Sequence, residues 1–583
     1  MAESPVSPPP SRYPVISSAR DAVVRVREEP PAGDASGDRL VERSCWPEYV
    51  RTAEKDRPRW VWRSSRTWYP NLLAEGVRVE RCVDLALCGT ILRGSGATAG
   101  TSIHGSPAPW PADVAAAGRE ADPDSGPALF SFDDAAVSIA AEAETDEVDE
   151  WHLQEQAVGD LGDRGAASRL RLLLAAESAG SLVAAEMQHA GLPWRADVHE
   201  RLLTRELGQR GPSGTRPTRM EELALTIRRL LEAPTLNPDS PAELVKALQR
   251  AGLGVSSARA WELREIDHPA MPAVLEYKKL SRLYTANGWA WLDAWVHDGR
   301  FRPDYVPGGV VTGRWATSGG GALQLPKQVR AAVVADPGWK LVVADAAQLE
   351  PRILAGLAHD ERMAAAGRGR DLYDGLVASG VVDTRQHAKV GMLAAMYGGT
   401  TGDGARVLPR LARAFPRAVS LVSTAADTGE RGGVVSTLLG RTSPPPSQDW
   451  LTQQHAAALP EATPEQERRA RSRARDWGRF TRNFVVQGTA AEWALCWMAE
   501  LRNRLAAMQG GPAGRAGAPF ERSPHLVYFL HDEVVVHAPE PLADEAAVAV
   551  RESAAAAGRL LFGDFPVEFP LTVAVIDSYD QAK

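Results

Sequence analysis

Cysteine is nearly missing from this chain: four residues in 583, Cys45, Cys82, Cys88 and Cys496, with no Cys-x-x-Cys pair. That excludes a disulfide framework and a zinc ribbon, and leaves reduced, partly buried thiols as the expectation. Long hydrophobic runs are missing too. No stretch reaches the ~18 consecutive apolar residues of a membrane helix, and the opening MAESPVSPPPSRYP has no apolar core behind a basic end, so it does not read as a signal peptide. The expected address is the cytoplasm, with no membrane partner. Lysine is scarce: eight of the 66 basic residues, the rest being arginine. With 51 glycines and abundant alanine, this bias is associated with a GC-rich bacterial genome. A positive balance is absent as well. The net charge of −8 excludes a uniform cationic coat for a polyanion but leaves room for a local groove. Charge is in fact segregated: Phe130 to Asp163 holds eleven acids and no Lys or Arg, whereas Glu465 to Arg482 holds seven Arg.

What is present suggests several domains, since 583 residues exceed one ordinary core. Residues 1–20 are Pro/Ser-rich and are expected to be disordered. Residues 21–93 alternate apolar stretches (AVVRV, RWVWR, VRVERCVDLAL) with turns, as in a small α/β unit. Residues 94–165 are Gly/Ala-rich and then acidic, and read as a linker or insertion. From about Ala166 to residue 300 apolar residues recur at three- and four-residue spacing, so helices are expected. Beyond that, WKLVVAD reads as a buried strand delivering Asp345, and HLVYFLHDEVVVHAP as a hairpin with acids at its tip.

Three constellations carry chemistry. Asp345 stands at a strand end before a helix start, which suits a rigid metal ligand; a helix N-cap is the alternative. Arg385, Lys389, Leu393 and Tyr397 fall at i, i+4, i+8 and i+12, one stripe of a helix. The stripe is cationic at its start and aromatic at its end, which suits a nucleoside triphosphate; an amphipathic helix with two exposed bases is the alternative. Lys389 stands out because Lys can release a proton and Arg cannot, so a site that must protonate a departing pyrophosphate needs Lys. His531-Asp532-Glu533 sits between stiff apolar strands. Carboxylates delivered by separate rigid elements can hold two Mg²⁺ ions ~4 Å apart for in-line phosphoryl transfer.

From about residue 300 onward the chain resembles the polymerase domain of family A DNA polymerases, the family of bacterial DNA polymerase I. The family's Asp-Tyr-Ser-Gln-Ile-Glu-Leu-Arg is matched by Asp345-Ala-Ala-Gln-Leu-Glu-Pro-Arg352. Its Arg-x3-Lys-x7-Tyr-Gly is matched by Arg385, Lys389, Tyr397 and Gly398, and its His-Asp-Glu by His531 to Glu533. Thr312-Gly313-Arg314 followed by Leu323-Gln324-x-Pro326, and Asn483-x3-Gln487-Gly488-Thr489-Ala490-Ala491, agree as well, and all five occur in order.

The resemblance implies a multidomain α/β and α+β fold, with a ribonuclease H-like exonuclease domain ahead of a right-hand polymerase domain. On that reading residues 166–300 are the mostly helical thumb region and 301–583 the palm and fingers. The implied catalytic residues are Asp345, Asp532, Glu533 and Lys389. Asp345, Asp532 and the Ala346 carbonyl would hold two Mg²⁺ ions, for which Mn²⁺ can substitute. Arg385, Lys389, Leu393, Tyr397, Gln348, Glu350 and Tyr373 would line the nucleotide pocket, with Glu350 excluding a ribose 2′-hydroxyl. Arg314, Gln324, Arg479, Asn483, Gln487 and His531 would contact primer–template DNA through the minor groove, which reports pair shape more than sequence. The partners implied are primer–template DNA and deoxynucleoside triphosphates, for a monomeric, nucleoid-associated enzyme of repair or gap filling.

The chain departs from the pattern at Ala346-Ala347, where the family has Tyr-Ser, at Leu393, where it has Phe, and at Tyr373, where it often has His; this bears on sugar discrimination. The resemblance of 21–93 to the exonuclease domain is fainter. The expected first strand, Ala22–Val26, leads into Arg27-Glu28-Glu29 without the family's Asp-x-Glu. Asp84 stands where a second acid would be. No Tyr occurs between Tyr69 and Tyr277 to supply the third signature. A domain without proofreading is expected. A polymerase-like scaffold that grips DNA without copying it, and a nuclease working through Asp84, are the competing readings.

Overall fold

Two sheets anchor the chain, and each is built from short apolar runs that stop at polar turns. The computed structural model describes residues 13–20, 23–29, 37–110, 146–212, 215–319, 321, 323, 325–399 and 402–582. In the first sheet β1 (Tyr13–Arg20), β2 (Val23–Glu29), β3 (Gly37–Glu42), β4 (Arg59–Trp62) and β5 (Arg81–Asp84) lie in the order β3-β2-β1-β4-β5. β1, β2 and β3 pair antiparallel, while β4 lies parallel to β1 and β5 parallel to β4. Val15, Ile16, Val24, Val26, Trp60 and Trp62 are buried in it. The sheet is mixed, with β1 at its centre.

Two expectations are corrected here. Residues 13–20, placed in a disordered tail, form the central strand of the sheet: Val15 and Ile16 are sealed by neighbours on both sides, and that pairing overrides the Pro/Ser composition. The first strand is therefore not Ala22–Val26. The linker expected over 94–165 is also too long. Helix α1 (Leu85–Gly94) is followed by ordered turns to Trp110, and helix α2 covers Glu147–Gly159. Four of the acids that suggested a linker form its N-terminus. Asp146 caps it through the Val148 N–H, and Glu147, Asp149 and Glu150 fill the first turn, where negative charge favours a helix. Trp151 stacks on Tyr13 at 5.5 Å, and Glu150 takes two hydrogen bonds from Arg93, at 2.9 and 2.8 Å. The central part of the expected linker, 111–145, lies outside the described residues, as do 1–12 of the expected tail.

Helix α3 (Arg164–Ala190) opens the expected thumb region but packs against β5 and the helix at Ser65–Ala74 on one side and the second sheet's long helix on the other. It is a strut between domains. After it, helix Thr218–Leu230 packs on Met271–Asn287, with Met220, Ala224 and Ile227 buried on the first and Val274, Tyr277 and Leu280 on the second.

The second sheet is antiparallel throughout. β6 (Trp339–Ala346), β7 (His525–Leu530), β8 (Glu533–Pro539) and β9 (Leu571–Ile576) take the order β7-β8-β6-β9. The near-continuous run LVVA on β6 is buried because helices cover the sheet. The helix at Ala543–Phe562 packs on β6, β8 and β9, α3 packs on β7, and α4 (Leu349–Leu357), α5 (Arg385–Tyr397) and α6 (Pro416–Glu430) pack on α7 (Pro464–Ala507), which also touches β7. α7 runs 44 residues and opens with a capping box between Thr463 and Gln466.

Candidate active site

The acids meet where β6 and the β7–β8 hairpin end side by side. β6 and β8 are in register with Asp345 opposite Glu533, and the Ala346 N–H donates to the Asp532 carbonyl at 3.0 Å. The hairpin closes on two residues, His531 and Asp532, with His531 in the left-handed region at φ +58. Across from it Gln348, which precedes α4, is also left-handed, at φ +50. A non-glycine residue there costs about 1–2 kcal/mol, and two of them flank the acids, as strained backbone often does at functional sites. The helix-cap alternative for Asp345 is removed, because α4 starts at Leu349 and its N-cap is Gln348.

Burial raises the pKa of Asp345 and, with the charge of Asp345 added, raises that of Asp532 to about 6. Neither side chain makes an ion pair within 4 Å among the described residues. Two carboxylates of hard oxygen, Asp345 exposed and Asp532 half-buried, with no ion-pair partner, fit a divalent cation. Glu533, opposite Asp345 in the register, has partners of its own. It is buried and held by the Tyr579 hydroxyl, and Arg330 lies 3.7 Å from it and 4.3 Å above the Tyr579 ring. Burial carries its pKa up to about 7, with the charges of Asp345 and Asp532 adding to the rise and that of Arg330 opposing it. No cluster of three or more His, Cys, Asp or Glu side chains fit for a metal exists among the described residues. The available donors are thus two aspartates and backbone carbonyls such as that of Ala346.

The expected nucleotide face lies on α5. Thr384 caps the helix through the His387 N–H at 3.1 Å, and Gly398 ends it at φ +74. Ala388, Met392, Ala395 and Met396 are buried, whereas Arg385 and Lys389 are exposed and Leu393 and Tyr397 half-buried. The stripe therefore points out of the core. Arg385 donates to Asp371 at 2.8 Å and lies 5.5 Å from the centre of the Tyr373 ring. Burial, with Glu350 and Asp371 nearby, carries the Tyr373 phenol up to about 12. Gln348 also donates to Asp371, at 3.0 Å, and accepts from Arg352 at 3.3 Å. Its amide is thus tied to the fold, not left open in a pocket. Arg352 itself is buried and donates to the carbonyls of Ala347, Gly367, Glu568 and Arg370.

Glu350 joins the two halves of the site. It accepts from Arg314 on one side and from the Tyr397 hydroxyl on the other. Burial and Glu350 raise the Tyr397 pKa. Gly313, Arg314, Glu350, Ala490, Ala491, His531 and Asp532 line one cleft, so four of the five sequence motifs converge there. Arg479, Asn483 and Gln487 follow at four-residue spacing along α7 beside it. Arg479 pairs with Asp476 and packs on Gly398, where a Cβ would come 3.0 Å from its side chain. The Asn483 Oδ1 is buried without a partner among the described residues, and the Gln487 amide reaches Tyr397. Burial and the charge of Arg314 hold His531 below the ordinary histidine range. Gln324 lies outside the described residues.

Sequence reasoning missed Asp371, Arg330 and Tyr579. Asp371 has a local signal, an Asp capping the helix at Leu372–Ala378. Arg330 and Tyr579 reach Glu533 from remote turns and carry no local signal.

The family model for DNA polymerase family A matches residues 213–578. Among curated relatives, "DNA polymerase I, thermostable" of Thermus filiformis is 26% identical over 358 residues, covering 56% of this chain and 38% of the relative. "DNA polymerase I" of Chloroflexus aurantiacus is 26% identical over 348 residues, covering 54% and 33%. The chain thus aligns to well under half the length of these relatives. A solved structure, the "POL domain of Pol1 from M. smegmatis complex with DNA primer-template and dNTP", has the same fold, with a TM-score of 0.65 at 19% identity over 98% of this chain and 96% of that one.

Proposed function

From the premise that this chain belongs to DNA polymerase family A, we propose that it extends a primer 3′ end with deoxynucleotides copied from a template. Its fold is the right-hand fold of palm, fingers and thumb. The observation that carries the proposal is the cleft itself. Asp532 lines it, with Asp345 close enough to raise its pKa and no ion pair on either, and the Arg314–Glu350–Tyr397 chain runs from beside Asp532 to the open face of α5.

Asp345, Asp532 and the Ala346 carbonyl would hold two divalent cations, Mg²⁺ or Mn²⁺, which would supply activation of the primer hydroxyl and neutralisation of the triphosphate. Arg385 and Lys389 bind the phosphates from the fingers. Asp371 fixes the Arg385 guanidinium on the Tyr373 ring, so little side-chain freedom remains to be lost on binding. Lys389 delivers a proton to the leaving pyrophosphate oxygen. Tyr397, tethered through Glu350, forms the floor under the incoming base. Glu350 crowds the 2′ position of the sugar, and Leu393 gives a smaller wall beside it than the family's Phe. Arg314, Gln324, Arg479, Asn483, Gln487 and His531 read the minor groove at the primer end, where shape is sampled more than identity. Glu533 supports the hairpin through Tyr579 and Arg330.

The first sheet has no catalytic acids of this kind. β1 reads YPVISSAR and carries no Asp or Glu. Asp84 is 2% exposed and accepts from the Ser65 and Leu87 N–H groups at 2.8 and 3.2 Å, so it serves as a helix cap. Synthesis without proofreading follows, suited to short repair tracts by a monomer at the bacterial nucleoid. No helix among the described residues is long and apolar enough to cross a membrane. Primer extension with Mg²⁺ or Mn²⁺ tests the proposal. Templated addition is expected, and tight primer–template binding without addition under either ion would overturn it.

A further inference from the structure

Between α6 and the helix at Gln448–Ala457 the chain makes a tight hairpin, closed by the Ser436–Thr442 bridge and turned by Gly440 at φ +109. Three parts of the molecule meet on its tip. From the N-terminal domain, the Ser95 hydroxyl donates to the Gly440 carbonyl and the Gly96 N–H to the Thr442 hydroxyl, each at 2.8 Å. Leu439 is buried in that domain's own core with Ile91, Leu92 and Ile103. From α7, Glu492 accepts from the Thr437 hydroxyl and from the Leu439 N–H at 3.1 Å, and Thr489 accepts from the Leu438 N–H at 3.2 Å. From α3, Glu177 accepts from Arg441 at 2.6 Å.

This last ion pair is almost completely buried. Such a pair is expensive to desolvate and is weak as a stabiliser, so its placement is the informative point. It lies under the turn that carries Arg314. A Cβ on Gly313 would come 2.5 Å from the Arg441 Nε, and a Cβ on Gly308 2.7 Å from the Glu177 Oε1. The turn runs from Pro307 to Trp315 and is cross-linked within itself by Val310 N–H to Arg314 O and Gly313 N–H to Val310 O, at 3.1 and 2.7 Å. It is therefore stiff and rests on the ion pair near both ends. Gly488 completes the seat: a Cβ there would lie 2.4 Å from the Thr437 methyl and 3.2 Å from the Thr312 carbonyl.

We propose that the N-terminal domain is a positioning element for the polymerase site. By holding the hairpin tip at Leu439, Gly440 and Thr442, it seats the Arg441–Glu177 pair that aims Arg314 at the primer terminus. This rests on the reading of Arg314 as a primer-end contact. Leu439, Thr442, Arg441 and Glu177 are positioning residues; none of them touches Asp345 or Asp532. Support of this kind decides whether a contact residue is held closely enough to act.

The test is a double-mutant cycle on the full chain. Leu439→Ala and Thr442→Val are made singly and in an Arg314→Ala background, with thermal melting as the folding control. Single-nucleotide addition is measured from matched and mismatched primer ends, and primer–template affinity by anisotropy. Discrimination against the mismatch in kcat/KM should fall about fivefold for Leu439→Ala and about twofold for Thr442→Val, with KM for the nucleotide unchanged. In the Arg314→Ala background neither change should cost more, since coupled residues are non-additive. Equal losses in both backgrounds, or full discrimination in folded variants, would overturn the proposal. Thr442→Val carries the test if Leu439→Ala does not fold. If the unaltered protein adds no nucleotide, the polymerase reading fails instead, and the same cycle is decided by affinity for matched against mismatched ends.

Discussion

Each of the two larger sheets carries an aspartate at or next to the end of a strand, and the two have opposite fates. In the N-terminal sheet Asp84 leaves β5 straight into α1, and its carboxylate is taken up by the N–H groups of Ser65 and Leu87. No acid stands beside it on β1. In the palm Asp345 leaves β6 into a left-handed Gln348, Asp532 sits at the tip of a two-residue turn, and neither is neutralised by an ion pair among the described residues. A strand-end carboxylate is thus a structural cap when backbone donors fill it, and a candidate metal ligand when a second carboxylate repels it and no cation intervenes.

The comparison breaks most visibly if the palm acids are dispensable. Asp532→Asn and Asp345→Asn each keep shape and remove charge. Either should lower primer extension at least ~10³-fold, because charge neutralisation and positioning supply most of the catalysis in phosphoryl transfer. Primer–template affinity should stay within about twofold, being set by phosphate contacts spread along the groove. Extension surviving either change in a single-turnover assay would remove the site from the palm.

Lys389 is next in size. Lys389→Ala should lower kcat ~10²-fold and raise KM for the nucleotide, since it loses both the acid and the phosphate contact. Lys389→Arg separates the two, because Arg keeps the charge but cannot give up a proton. It should restore KM and leave kcat low. Full recovery of kcat would reduce Lys389 to a phosphate ligand.

These residues were legible because each sits in a run whose local structure fixes its direction. The α5 stripe follows from four-residue spacing and the hairpin tip from two apolar strands around His-Asp-Glu. What the sequence hid is where side chains from remote turns arrive. Nothing near Glu533 announces that Tyr579 and Arg330 will hold it, and nothing near Gln348 announces Asp371. The strand at residues 13–20 was hidden for a related reason. YPVISSAR has too few apolar residues to declare itself, and its partners on both sides make it central. The acids from Asp146 to Glu150 misled in the opposite sense: their charges are those a helix N-terminus favours.

A smaller effect separates a buried acid that serves the fold from those that serve the site. Glu492 is buried, and that burial lifts its pKa from 4.5 to about 7 against the hydrogen bonds from Thr437 and Leu439. The folded state therefore keeps a proton that the unfolded chain releases above pH ~4.5. The stability this confers is full below the unfolded pKa and is lost as pH rises through about 7. Glu492→Gln cannot titrate. Between pH 5 and 8 it should lose about 2 kcal/mol less stability than the unaltered protein, read by urea unfolding at each pH. Parallel curves would show that Glu492 is ionised throughout.

The smallest effect is the sharpest test of the comparison, because it asks an acid to do nothing. Asp84→Asn keeps an amide oxygen that can still accept one of the two N–H groups, and Asn is as good an N-cap as Asp. Its amide nitrogen would face the other donor, so one buried hydrogen bond is lost and stability should fall by about 1 kcal/mol. Extension from a matched primer should not change. A 3′-labelled primer held with Mg²⁺ and no nucleotides should stay intact with either protein, because β1 supplies no second carboxylate to share a metal. Label released by the unaltered protein, persisting in Asp532→Asn but abolished in Asp84→Asn, would make Asp84 a catalyst and erase the distinction between the two strand ends.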